Sequence, residues 1–120
     1  MPARNKDLKD RLSRSREIKI TVTGRKSGRA IFIPVWFVLE DDTLYLLPVQ
    51  GSDTQWYKNV VQNPSIRIDA RGEEAKLRTQ PITEPNLVKS VIEKFRDKYG
   101  VKDVKKYYSK FDVAVTVELT

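Results

Sequence analysis

Residues 17–39 read Glu17-Ile-Lys-Ile-Thr-Val-Thr23-Gly-Arg-Lys-Ser-Gly28-Arg-Ala30-Ile-Phe-Ile-Pro34-Val-Trp36-Phe-Val-Leu39. The first seven residues alternate, with Ile18, Ile20 and Val22 on one face, as a half-buried strand requires. Gly24 and Gly28 then bracket Arg25, Lys26 and Ser27, and two such glycines let a short loop take positive φ at both ends. A second strand, Ala30 to Glu40, follows at once and is apolar on both faces. Pro34 interrupts it; a residue with no N–H marks an edge, a bulge or a split in the sheet. The loop offers two cations, a hydroxyl and backbone N–H groups, the parts of an anion cradle, and equally the parts of a solvated basic turn.

The rest of the chain extends this hairpin. Asp41-Asp42 turns into a third strand, Thr43 to Val49. The turn Gln50-Gly51-Ser52-Asp53-Thr54 leads into a helix, with Ser52 or Asp53 as N-cap and Gln55 at capping-box spacing from Ser52. That helix carries Trp56, Tyr57, Val60 and Val61 and stops at Asn63-Pro64. Ser65–Ala70 and Glu74–Ile82 read as strands four and five. Thr83 caps a helix with Pro85 in its first turn, whose apolar stripe runs from Leu87 through Phe95 to Tyr99 and closes at Gly100. Residues 101–110 add one or two helical turns, and Phe111 to Leu119 alternates strictly as a sixth strand. Tight turns between consecutive strands disfavour a parallel Rossmann sheet and exclude a Walker loop. The expected class is α+β, a six-stranded, mainly antiparallel barrel or half-open barrel, with residues 17–120 as a single domain behind a basic extension, 1–16.

Composition narrows the chemistry. The 120 residues contain no cysteine and no histidine. This excludes disulfides, thiol nucleophiles, a Ser-His-Asp hydrolase and a zinc site of the usual ligands. Glu40, Asp41 and Asp42 are the one tight acidic cluster and read as a turn, so no metal is expected. Residues 1–29 hold ten Lys/Arg against three acids, which is the entire net charge of +7. Such a segment attracts a phosphorylated ligand, an anionic membrane or nucleic acid. Aromatic residues do not interleave with the basic run, which argues against nucleic acid. No run of about 18 apolar residues and no signal-peptide pattern occurs, so the expectation is a cytoplasmic protein.

Thr23-Gly-Arg-Lys-Ser-Gly28, then Pro34-Val-Trp36, then Gly51 to Trp56-Tyr57 and Asn59, then Asn63-Pro64, resembles the deazaflavin-dependent nitroreductase and quinone-reductase family in the order and joint spacing of its landmarks. The resemblance spans roughly residues 17–119. It implies a split β-barrel related to FMN-binding and pyridoxamine-phosphate-oxidase-like proteins. It also implies the coenzyme F420 and hydride transfer to a quinone, nitro compound or activated alkene. Arg25, Lys26, Ser27 and Gly28 would hold the cofactor's phosphate and carboxylate tail. Pro34, Trp36 and Trp56 would supply an apolar wall, and Pro48, Val49, Gln50 and Gly51 the backbone near the ring edge. Tyr57, Tyr99 and Ser52 are the proton-donor candidates. Where the family carries an Arg on the strand this chain has Ile31, and Gln50 stands in place of a Lys, so FMN, or an anionic ligand bound without catalysis, is the alternative. A homodimer through the sheet is one assembly the fold implies; the charge of residues 1–29 separately suggests peripheral contact with an anionic membrane.

Overall fold

The computed structural model describes residues 2–119, with side chains from Asp7 onward. Seven strands make one curled antiparallel sheet: β1 (Ile18–Thr23), β2 (Ala30–Val35), β3 (Phe37–Glu40), β4 (Thr43–Leu46), β5 (Ser65–Ala70), β6 (Glu73–Ile82) and β7 (Ala114–Glu118). Their order is β2-β1-β5-β6-β7-β4-β3. The expected count of six is corrected to seven, because the long apolar run breaks at Trp36 into β2 and β3.

That break defines the architecture. β2 and β3 are consecutive in the chain but lie at opposite edges of the sheet, so the backbone at Trp36 carries the chain from one edge to the other. β6 makes the corresponding passage in the middle. Its first half pairs with β5 as far as Arg78↔Ser65, and its second half pairs with β7 from Thr79↔Val117 onward. Two half sheets are thus joined by strands that cross between them, which is a split barrel. Pro34 sits in edge strand β2 opposite Lys19, where its nitrogen faces the free edge of the sheet and the missing N–H leaves the β1–β2 ladder intact.

Inside the barrel the alternating positions meet: Ile20, Val22, Ile68, Val115, Val117 and Leu119 are all buried. The both-face apolar character of β3 has a separate cause. Phe37 faces the barrel, whereas Val38 faces helices packed outside. Those helices are α3 (Pro85–Tyr99) and α4 (Val101–Tyr107), which form a second cluster around Val88, Ile92, Phe95 and Val104. Glu84 caps α3, its carboxylate accepting from the N–H groups of Asn86 and Leu87, one residue later than the Thr83 expected from sequence.

Two further helices finish the barrel. In α2 (Gln55–Gln62) the N-cap is Thr54, not Ser52 or Asp53, because 51–53 wind into a 3-10 turn first. In α1 (Pro2–Ser13), Leu8 and Leu12 are 0% and 1% exposed and join the barrel core. Of its described cations, Lys9 pairs with Asp42 at 2.7 Å and Arg11 donates to the Arg71 carbonyl, and Arg14, just past the helix, pairs with Asp10 at 3.1 Å. No helix among the described residues is long and apolar enough to cross a membrane.

Candidate functional site

Where the chain crosses from β2 to β3 it leaves a pocket of about 430 Å³. Ile33, Pro34, Val35 and Trp36 line one side; Leu47, Val49, Thr54 and Trp56 line the turn side; Tyr107, Tyr108 and Glu17 complete the rim. The wall is rigid for a visible reason. The Trp36 indole stacks on Tyr99 with centroids 4.2 Å apart and planes 9° from parallel, and Tyr107 meets it edge-on at 5.5 Å. Tyr99 is itself fixed: its hydroxyl accepts from Phe37 N–H at 3.0 Å and donates to the Arg16 carbonyl at 2.7 Å. Burial pushes the Tyr99 phenol up to about 12, and burial likewise raises that of Tyr108, so both stay neutral at ordinary pH.

The turn beside the pocket is pinned to the segment after α4. Gln50 N–H donates to Thr54 Oγ1 at 2.8 Å, and Ser109 N–H donates to the Val49 carbonyl at 2.9 Å. Ser52 gives both its N–H and its hydroxyl to Asp112. Partial burial alone would raise the Asp112 carboxyl, but the Ser52 donors outweigh it and hold it below the usual carboxylate range. Gly51 has φ 54°, and a Cβ there would stand 2.1 Å from Asp112 Oδ1, so both backbone and space require glycine.

The basic hairpin is closed by Gly24 N–H to the Arg29 carbonyl at 2.8 Å and Gly28 N–H to the Gly24 carbonyl at 2.9 Å. Of the two bracketing glycines only Gly28 takes positive φ, at 70°. At Gly24 a Cβ would lie 2.6 Å from Ser27 Oγ, so the hydroxyl would have to turn away from the Arg29 N–H. Arg25 faces the protein: its N–H and Nη1 donate to Asn59 Oδ1 at 3.0 and 2.8 Å, and Nη2 donates to Gln55 Oε1 at 2.9 Å. Ser27 Oγ accepts from Arg29 N–H at 3.1 Å. Lys26 and Arg29 are exposed and take no ion-pair partner among the described residues.

The pocket therefore gathers Pro34, Trp36, Val49 and Trp56 from the sequence-derived set. Arg25, Lys26, Ser27, Gly28, Pro48, Gln50 and Gly51 lie outside its lining. Among the donor candidates, Tyr99 is behind Trp36 with its hydroxyl on backbone, Ser52 is bonded to Asp112, and Tyr57 is buried. Glu17, Leu47 and Thr54 are lining residues that nothing in the sequence singles out. The neighbouring pair Tyr107-Tyr108 does stand out, as two aromatic rings at the end of a short helix.

A curled antiparallel sheet split into two halves, with a pocket at the crossing, is the split-barrel class. Solved structures share this fold at low identity. A structure described as an F420-H2 dependent reductase, FDR-A, is 18% identical, with a TM-score of 0.67 over 86% of this chain and 94% of that one. HutZ, the haem storage protein from Vibrio cholerae, is 12% identical, with a TM-score of 0.70 over 93% and 87%. A structure described as a domain-swapped dimer is 16% identical, with a TM-score of 0.68 over 98% and 100%. These likenesses are of fold. Residues 8–119 match the model of the family described as "Uncharacterized protein conserved in bacteria (DUF2255)", and the chain belongs to that family. No curated protein matches the sequence.

Proposed function

We propose that the protein is an oxidoreductase that holds a reduced deazaflavin of the F420 type in the Trp36 pocket and serves a small electrophile there. The observation that carries this reading is an apolar, aromatic-walled pocket one strand-length from two unpaired cations. Pro34 and Arg29 are five residues apart along an extended edge, about 16 Å at the usual rise. A flat ring against Trp36 with an anionic tail running along β2 would meet Lys26 and Arg29. The deazaflavin, when bound, supplies the hydride. The chain's own part is to hold the ring flat with Trp36 backed by Tyr99, to keep water out with Ile33, Val49 and Trp56, and to present a neutral phenol. Tyr107 and Tyr108 are the phenols lining the pocket and replace Tyr57, Tyr99 and Ser52 as proton-donor candidates. In this role Arg25 positions the hairpin against α2, whereas Lys26 and Arg29 make the charge contacts.

Haem, which one fold relative stores, fits these residues less well. With no histidine or cysteine in the chain, the phenols at the rim are the available axial ligands, and a ring held by stacking alone needs none. FMN fits the same wall and is the second reading, since Ile31 and Gln50 remove two family cations from the anion site. The structure described as a domain-swapped dimer supports a homodimer for this chain.

The test is titration with oxidised deazaflavin, with FMN and with haem, read by quenching of tryptophan fluorescence. Micromolar deazaflavin binding, lost in Trp36→Leu and made salt-insensitive in Lys26→Ala/Arg29→Ala, is expected. Tight FMN binding without deazaflavin binding moves the reading to a flavoprotein, and absence of both sinks it.

A further inference from the structure

The two faces of edge strand β2 do different things. Ile33 and Val35 line the Trp36 pocket, while Phe32 points the other way, 67% exposed, onto the outer face of the half sheet β2-β1-β5-β6. That face forms an open groove of about 490 Å³, and no helix among the described residues covers Phe32, Thr21, Arg67 or Lys76 there. The sheet register sets these four side by side: Phe32 opposite Thr21, Thr21 opposite Arg67, Arg67 opposite Lys76. Directly opposed residues share a face, and each strand step is about 4.8 Å, so the row runs roughly 14 Å from an aromatic ring to two cations.

Charge is graded along this face. Beyond the Phe32 row, toward the hairpin tip, come Arg78 opposite Ser65 and then Lys26 and Arg29 in the loop. The acids of the face, Asp69 and Glu74, sit together in the next row on the other side, with Lys19. Glu74 reaches Arg67 only at 3.6 Å between two exposed groups, an ion pair of little strength. The half of the face nearer the hairpin therefore holds three cations, Arg67, Lys76 and Arg78, and no acid, and the adjoining loop carries Lys26 and Arg29. We propose that this half binds single-stranded nucleic acid, with a base stacked on Phe32 and the phosphate backbone passing Arg67, Lys76 and Arg78 toward Lys26 and Arg29. An exposed aromatic beside a basic track is the arrangement single strands need, because the base stacks while the phosphates are neutralised. A second copy of the chain turned over on this face would set two acids against four cations, leaving excess like charge buried, so a polyanion suits the surface better. The sequence argues against nucleic acid because no aromatic interleaves with the basic run of residues 1–29; the cations beside Phe32 come instead from β5 and β6, which the β1–β5 and β5–β6 pairings bring to it.

The test is fluorescence anisotropy of a labelled 12-nucleotide mixed-sequence RNA with the full chain. Affinity should fall about 30-fold between 50 and 200 mM salt, as neutralising three to four phosphates on a single strand requires. Phe32→Ala should weaken binding about tenfold while Phe32→Trp retains it, the range set by stacking one base. Arg67→Ala/Lys76→Ala should lower the salt slope by about 1.4. All three sites are exposed, and unchanged melting temperatures certify folding. Trp36→Leu should leave RNA binding intact and Phe32→Ala should leave the deazaflavin titration intact, so the two readings fail separately. Equal binding to a duplex with no Phe32 dependence, sedimentation with phosphatidylserine vesicles but not RNA, or a dimer in equilibrium sedimentation that Phe32→Ala dissociates would each overturn the proposal.

Discussion

Tyr99 stacks flat under Trp36 and at the same time gives its hydroxyl to the backbone at Phe37 and Arg16, so one side chain ties the pocket wall to the crossing between the half sheets. The two roles separate by substitution. Tyr99→Phe keeps the stack but leaves the buried Phe37 N–H without its acceptor, and should cost about 1–3 kcal/mol in urea unfolding. Tyr99→Leu should cost more, by roughly 1 kcal/mol for the lost ring pair, and should weaken deazaflavin binding as Trp36 loses its backing. If Tyr99→Phe proves as damaging to cofactor binding as Tyr99→Leu, the hydroxyl network and not the stack supports the pocket.

Asn59 should matter to the hairpin more than its distance in sequence suggests. It is 5% exposed and its Oδ1 takes both Arg25 N–H and Arg25 Nη1. Asn59→Ala removes both bonds and should destabilise the fold by about 2–3 kcal/mol, whereas Asn59→Asp, which keeps an acceptor, should retain most of the stability. Limited proteolysis within residues 24–29 reads the local effect. Unchanged cleavage in Asn59→Ala would show that the hairpin holds without α2.

The contrast between Arg25 and Lys26 shows what the linear sequence carries. Turn chemistry and alternation are local properties, so the hairpin, the strand ending at Leu119 and the α3 stripe are legible from spacing alone. The break at Trp36 is not, because β3 buries Phe37 inside the barrel and Val38 under α3; a run apolar on both faces looks the same whether it is one strand or two. The burial of α1 rests on Leu8 and Leu12 among eight charged or polar neighbours, too small a pattern to distinguish from a solvated tail. For the site, Pro34, Trp36, Val49 and Trp56 come together because one crossing and one turn place them. The direction in which Arg25 points depends on Gln55 and Asn59, and no local rule predicts that partner.

Gly51 and Asp112 form a pair that a double-mutant cycle can resolve. Gly51→Ala should cost about 2–4 kcal/mol, combining the left-handed backbone with the overlap on the carboxylate. Asp112→Ala alone loses the Ser52 bonds and should cost about 1–2 kcal/mol. The double variant should fall at least 1 kcal/mol short of additive, because removing the carboxylate clears the space the new methyl needs. Strict additivity would mean that backbone conformation alone makes glycine necessary.

Lys98 provides a pH signature. Its ammonium is half-buried over the Phe37 ring, donates to the Phe37 carbonyl at 2.9 Å, and is lowered to about 8 by burial first and the Arg16 guanidinium second. In the unfolded chain the same amine holds its proton to near its ordinary value of 10.5. Between pH 8 and 10.5 the unfolded state therefore binds more protons than the folded one, and this group makes stability rise with pH. Tyr99 acts oppositely: unfolded it ionises near 10, folded near 12, so above pH 10 stability falls. Urea midpoints should accordingly increase from pH 7.5 to about pH 10 and then decline. Lys98→Met should lack the rise while keeping the decline, and Tyr99→Phe should keep the rise and soften the decline. A wild-type profile flat from pH 7.5 to 10 would show that Lys98 remains charged in the folded protein.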